Sequence, residues 1–217
     1  MSQRTITVKG VGNVSARPDL IIITMNLTTK DYTYEGAMHL AANTIESIRK
    51  SLIDVGYEKE NLKTTDFSIN TDYESYKDKD GNYRKKFVGY ECRHDLKLEF
   101  DFDMECLNKT LSAISSSKAN PKFEIKFSIK DKNAVSEELL KNAIENATKK
   151  ASVLATASGL TLGKIQNIDY NWGEIMLYSR TRMQEPIDCC EYNLSHMDID
   201  PEDINVNDTV TVIWEID

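Results

Sequence analysis

Asn133 to Gly163 reads NAVSEELLKNAIENATKKASVLATASGLTLG, and this stretch decides the fold. Its apolar and small residues fall at Leu140, Ala143, Ile144, Ala147, Ala151, Leu154, Ala155 and Ser158. That is the i, i+3, i+4, i+7 spacing of a helix with one buried face. Glu137 and Glu138 stand near its start, where the helix dipole favours negative charge. Gly159 follows the last periodic position and suits a left-handed cap. The seam is rich in alanine, so the backbone can come close to whatever it covers. The stretch reads as a helix laid across a sheet, a structural element rather than a site.

Strand patterns lie on both sides of it. Phe123, Ile125, Phe127 and Ile129 alternate before it, and Ile165 to Trp172 extends after it. The clearest period of two places Val88, Tyr90, Cys92, His94, Leu96, Leu98 and Phe100 on one face, and Glu91, Arg93, Asp95, Lys97 and Glu99 on the other. One apolar and one wet face predict an antiparallel sheet. Phe67 to Tyr73 forms another alternating run, joined to it by the charged tip KDKDGNYRKK, Lys77 to Lys86. Upstream, Ile6 and Val8 start a short strand that Gly10 and Gly12 should break with a bulge or bend. Ile21, Ile23, Met25 and Leu27 form a second strand. A helix from about Glu35 to Val55 presents Ala37, Leu40, Ala41, Thr44, Ile45, Ile48 and Leu52, with Gly56 as its cap. A shorter helix begins after an Asp103 N-cap, with Met104, Leu107, Leu111 and Ile114 as its stripe. The chain closes on Val210, Val212, Trp214 and Ile216. Residues 174 to 207 are acidic, carry Pro186 and Pro201, and lack periodicity, so they are expected to form an irregular insert. The predicted order is β-β-α-β-β-α-β-α-β-β: an α+β fold with antiparallel or mixed sheet, helices on one face, and a single domain over 1–217.

The chain has 217 residues and a formal net charge of −8. An acidic balance argues against nucleic acid, which calls for a basic footprint, and against an anionic membrane surface. No apolar run reaches the length of a membrane span. MSQRTITVKG holds no apolar signal-peptide core. Cys92, Cys106, Cys189 and Cys190 show neither CxxC spacing nor disulfide density. Together these features predict reduced thiols in a cytoplasm.

Several residues invite chemistry. Gly10-Val11-Gly12 lacks the third glycine of a dinucleotide loop, since Ser15 stands there, and no helix follows. Asp78-Lys79-Asp80-Gly81-Asn82 echoes a calcium loop, but the twelfth position is Gly89 rather than a glutamate, so a hairpin turn is expected. Cys189, Cys190 and His196, near Asp188, Asp198 and Asp200, are the metal-ligand candidates, although a vicinal cysteine pair fits zinc spacing poorly. Cys92 and His94, two apart on one strand face, could form a Cys–His dyad; a core histidine is the simpler expectation, and no orienting third group is visible. His39 falls outside the apolar stripe of its helix and is expected at the surface. Arg84, Lys85 and Lys86 with Tyr83 and Phe87 make a basic-aromatic patch, expected to be a solvated hairpin edge. No GxSxG or HExxH occurs. No catalytic residue and no cofactor is therefore assigned.

Three segments in order resemble the SIMPL-domain family, a bacterial family that includes YggE-like envelope proteins. ITVKGVGNVSARPDLIIITMNL (Ile6 to Leu27) resembles its opening strand, Gly-x-Gly, Pro-Asp and second strand. FVGYECRHDLKLEF (Phe87 to Phe100) resembles its Gly-Tyr-x-Ala-x strand, with Cys92 where alanine is common. The alanine-rich helix ending SGLTLGKI (Ser158 to Ile165), followed by PEDINVNDTVTVIWEI (Pro201 to Ile216), completes the match. The resemblance implies an α+β fold, self-assembly, no established catalytic residues, and links to stress tolerance or the cell envelope. The expected function is a non-enzymatic, self-associating homo-oligomer. The alternative is a ligand- or metal-binding protein using the 174 to 207 loop.

Overall fold

The computed structural model describes residues 4–170, 175–184 and 199–217. In chain order its elements are β1 (Thr5–Ala16), β2 (Leu20–Asp31), α1 (Tyr34–Asp54), a single 3-10 turn (Lys59–Asn61), β3 (Lys63–Lys77), β4 (Tyr83–Asp101), α2 (Met104–Ser116), β5 (Lys122–Ser128), α3 (Lys132–Ala157), β6 (Leu162–Tyr170), β7 (Tyr178–Gln184) and β8 (Ile204–Ile216). Strands collected into sheets with helices against them make this the expected α+β fold. The chain forms two compact units. One holds Met1–Asp19, Ser128–Arg180 and Pro201–Asp217; the other holds Leu20–Phe127 and Thr181–Asp200.

In the first unit, β1, β8 and β6 form a three-stranded sheet in that order. β1 pairs antiparallel with β8 without a break, from Thr5 opposite Glu215 to Ala16 opposite Ile204. Gly10 and Gly12 therefore neither end the strand nor form a bulge in it. They are needed because α3 crosses directly over them. A Cβ at Gly10 would lie 2.0 Å from the Ala143 carbonyl oxygen, and one at Gly12 would lie 2.0 Å from that of Leu139. In place of the expected break, the glycines admit a helix–strand contact closer than any side chain permits.

The seam of α3 is also more regular than its sequence suggests. Its buried residues are Val135, Leu139, Ala143, Ala147, Ala151 and Ala155, every fourth position. Four residues turn a helix by about 400°, so such a row inclines to the axis and serves as a packing ridge. Leu154 and Ser158 lie off this row and are exposed, against expectation, and Leu140 is half-buried. The small side chains of the row pack with Val8, Val210, Val212 and Trp214. Farther along, Val135 and Leu139 pack with Val14, Ile129, Leu177 and Ile204. Polar residues of α3 then reach the outer edge of β1. Asn146 Oδ1 accepts from the Val11 N–H at 3.1 Å, Asn142 Nδ2 donates to the Asn13 carbonyl at 3.0 Å, and Lys150 Nζ donates to the Lys9 carbonyl at 3.1 Å. Gly159, at φ 69°, closes α3, with the Leu160 N–H bonded to the Ala155 carbonyl at 2.9 Å.

The five-stranded sheet, most of it in the second unit, has the strand order β3-β4-β2-β5-β7. β2 pairs antiparallel with β4 from Leu20 opposite Asp101 to Asp31 opposite Tyr90. One sheet face carries Ile21, Ile23, Met25, Leu96, Leu98, Ile125 and Phe127, packed with Ile45, Ile48 and Leu52 of α1 and Leu107, Leu111 and Ile114 of α2. Leu40, placed in the α1 stripe by periodicity, is instead 42% exposed. The opposite face carries ion pairs, although Ile22 on it is buried. There Lys30 bridges Asp72 at 2.7 Å and Glu91 at 2.9 Å, Arg93 pairs with Glu91, Lys97 with Glu99, and Lys126 with Glu124. From Tyr90 to Phe100 the alternation of β4 has the expected wet and dry sides, whereas Val88, expected on the dry side, drops out of the register.

The segment expected to be irregular, 174 to 207, contains β7 and the start of β8. YSRTRMQ has no apolar alternation, so its strand state comes from backbone pairing at the end of the sheet rather than from a buried face. Its neighbour Leu177 is buried, and the Leu177 carbonyl accepts from Ser128 Oγ at 2.6 Å.

Candidate functional site

The residues singled out for chemistry on β4 belong to the core. Cys92 is 1% exposed and packs against Ala37 and Ala41 of α1. Burial pushes its thiol above the usual range, partly opposed by a hydrogen bond with Thr29. A nucleophilic cysteine needs the opposite shift. His94 is buried beside it. Its Nε2 lies 2.8 Å from Thr64 Oγ1, its ring meets Phe67 edge-on at 5.0 Å, and Nδ1 has no hydrogen-bond partner. Burial, reinforced by the Arg49 guanidinium, holds His94 below the ordinary histidine value, while Asp95 pulls the other way. Each residue of the candidate dyad is bonded to its own threonine, and neither imidazole nitrogen bonds the thiol. The arrangement builds a core rather than an acid–base pair.

A second thiol, Cys106, lies 3.3 Å from Tyr57 Oη, which also bonds Thr110 Oγ1 at 2.7 Å. Burial first, and then the Cys106 contact, raise the Tyr57 phenol above its ordinary value. His39 is exposed, with Nδ1 3.0 Å from Asn43.

The Asp78–Asn82 segment is the turn of the β3–β4 hairpin. Asp78 Oδ1 accepts from the N–H groups of Asp80 and Asn82 at 3.1 and 2.9 Å, and Oδ2 accepts from Arg84 Nε at 3.0 Å. The Arg84 contact, then the Asn82 N–H, hold this carboxyl below its ordinary value. Gly81, at φ 81°, completes the turn. The carboxylate's oxygens are thus engaged by its own loop.

Cys189, Cys190 and His196, with Asp188 and Asp198, lie outside the described residues, as does Trp172. Among the described residues no cluster of three or more histidine, cysteine, aspartate or glutamate side chains is placed to hold a metal.

What sequence periodicity missed is an aromatic surface in the second unit. Phe87 meets Tyr32 at 5.8 Å, Tyr73 at 5.8 Å and Tyr90 at 5.4 Å, and Tyr90 meets Tyr34 at 5.7 Å, all edge-on. Tyr32 is 71% and Tyr73 51% exposed. A bulge creates this cluster. Asp72 faces Gly89 but Tyr73 faces Phe87, so Val88 is skipped and Phe87 joins the face of Tyr90. Gly89 takes φ 142°, and a Cβ there would lie 2.4 Å from the Asp31 carbonyl oxygen. Strict alternation assigns Phe87 to the opposite face, which hid the cluster. The signal present in the sequence was density: six of the ten tyrosines are Tyr32, Tyr34, Tyr73, Tyr76, Tyr83 and Tyr90. The entrance to α1 fixes the tyrosines near it. Thr33 caps the helix by accepting from the Gly36 N–H at 3.1 Å, and Asp31 Oδ1 accepts from both the Thr33 N–H and hydroxyl at 2.8 Å. Those bonds, the backbone one first, hold Asp31 below its ordinary value.

The basic-aromatic patch lies on the same hairpin. Arg84 faces Tyr76, Lys85 faces Ser75 and Lys86 faces Glu74, while Lys77 sits over the Tyr83 ring at 5.2 Å. Surfaces combining tyrosine with arginine resemble protein-recognition patches, where large rigid rings supply contact area at low entropic cost.

A family model described as SIMPL, a protein of unknown function (DUF541), matches residues 6–214. The chain is similar to the 26 kDa periplasmic immunogenic protein of Brucella melitensis biotype 1, with 26% identity over 182 residues, covering 84% of this chain and 70% of that protein. The protein of the same name from Brucella abortus strain S19 matches with the same identity and coverage. Those names overturn the cytoplasmic expectation. It rested on cysteine spacing and on the first residues, and neither reports a compartment. Among the described residues Cys92 and Cys106 are free thiols, and Cys92 is buried. Among the described residues no helix is long and apolar enough to cross a membrane.

Proposed function

The chain belongs to the SIMPL family, and from that premise we propose that it is a non-enzymatic, self-associating protein of the periplasm that acts through its surface. The observation that carries this reading is the aromatic cluster of Tyr32, Tyr34, Tyr73, Phe87 and Tyr90 beside β3, an end strand of its sheet among the described residues. Exposed apolar surface of this kind is retained where it is covered by a partner. The periplasmic location follows the relatives' names. In support of a role without catalysis, Cys92 and His94 are spent on packing and on separate threonine contacts. Sedimentation velocity and light scattering across a micromolar concentration series test the reading. A defined oligomer is expected; a monomer at every concentration refutes it.

A further inference from the structure

Resting on that reading of self-association, we propose that the outer edge of β3 is the interface, and that two copies pair antiparallel about a two-fold axis through Thr71. Four sheet edges compete for the role among the described residues: β1 and β6 in one sheet, β3 and β7 in the other. The β1 edge is occupied, because Asn142, Asn146 and Lys150 of α3 already bond its Asn13, Val11 and Lys9 backbone groups. β6 is irregular, with register shifts on both sides of Ile165, and an irregular edge is a poor template for pairing. β7 spans 7 residues, whereas β3 spans 15 and is exposed or half-buried throughout. β3 also carries apolar side chains for a partner, with Phe67 43% and Tyr73 51% exposed.

Charge selects the register. In an antiparallel pair about a two-fold, facing residues share a sheet face, so the axis passes through a residue. On Thr71, Tyr73 faces the partner's Ile69, Phe67 the partner's Ser75, Glu74 the partner's Ser68, Tyr76 the partner's Asp66 and Asp72 the partner's Asn70. No like charges meet, and an aromatic ring lies against a β-branched side chain, a favourable cross-strand pair. An axis on Asn70 sets Lys63 against the partner's Lys77 and Asp66 against the partner's Glu74. On Ile69, Asp66 meets the partner's Asp72. On Asp72 that residue meets its own copy, and on Tyr73 Asp72 meets the partner's Glu74. An axis on Ser68 avoids like charges but leaves Glu74 to Lys77 without a facing residue in the partner's strand. The Thr71 axis joins the two aromatic clusters along one continuous sheet face. Such an interface is isologous, the closed geometry of two-fold assemblies.

Ser68 separates association from folding. Within its own chain it faces Arg93, so Ser68→Glu gains an attractive neighbour and Ser68→Lys a repulsive one. Across the proposed axis it faces the partner's Glu74, and the signs reverse. The expected result is that Ser68→Glu keeps its melting temperature but associates roughly tenfold more weakly, from two symmetry-related like-charge pairs. Ser68→Lys should associate as tightly as the unaltered chain or more tightly. Thr71→Cys should form a disulfide-linked dimer under mild oxidation, because that residue meets its own copy at the axis. If the unaltered chain associates while both Ser68 variants match it, or both weaken alike, the β3 edge is refuted and self-association stands. If the unaltered chain is monomeric at every concentration, both fail.

Discussion

Replacing Gly10 with alanine tests the contact that joins sequence to fold in the first unit. The added Cβ would lie 2.0 Å from the Ala143 carbonyl oxygen, 2.7 Å from Ala147 Cβ and 2.9 Å from the Ala147 nitrogen. Ordinary contact begins at 3.4 Å, so the helix or the strand must give by about 1.4 Å. Two of the three obstacles are backbone atoms, which cannot rotate away. A gap of ~1 Å forfeits about half of the attraction between facing atoms. Those atoms belong to Val8, Val210, Val212, Trp214 and the alanine row. Overpacking of a close-packed contact costs about 1–3 kcal/mol and sometimes more, and a clash with backbone places this one at the upper end. Alanine also stiffens the unfolded chain, which returns about 0.4–1 kcal/mol. The net expected loss is roughly 2–3 kcal/mol, or about 4–12 °C in melting temperature for a chain of this size. Circular dichroism and tryptophan emission, to which the buried Trp214 contributes, follow the transition. Adding Ala147→Gly should restore only part of the loss, since the Ala143 carbonyl remains. A Gly10→Ala chain that melts within about 1 °C of the unaltered one would refute the close-approach argument.

Two further outcomes follow from β4. His94 is held below the ordinary histidine value by burial and by Arg49, so between the two values the unfolded chain binds the proton and the folded chain does not. Stability is therefore complete above the ordinary value and is lost as pH falls from there through the depressed folded value. Urea midpoints from neutral to mildly acid pH should show that slope, below the ceiling of about 1.4 kcal/mol per pH unit for one proton, and His94→Leu should flatten it; an unchanged slope in the variant would remove His94 as its source. Cys92, buried and with a raised thiol pKa, should resist alkylation in the native state and react on unfolding. Mass spectrometry of trapped peptides reads this directly, and native labelling at the rate of an exposed thiol would contradict the packing described.

Periodicity located the helices and most strands because each has one face to bury. The caps were legible too: Gly56 and Gly159 both take positive φ at helix ends, and Asp103 accepts from the Glu105 and Cys106 N–H groups. Periodicity misplaced residues where the partner, rather than the element, sets the contact. Leu40 and Leu154 fit a helical stripe by spacing but fall beyond the surface their helices cover. β7 has no stripe to read and is held by its place in the ladder.

The sequence by itself determined the α+β class, the alanine row and the glycines at positions 10, 12 and 89, because side-chain size and periodicity are local properties. Only the tertiary structure decided what those glycines are for. Gly10 and Gly12 admit a helix, and Gly89 admits the Asp31 backbone at a bulge. That bulge turns Phe87 onto the face of Tyr90 and gathers rings from separate strands and a helix start into one surface. Such a surface depends on register, and register is fixed by pairing between distant segments, which no local pattern carries.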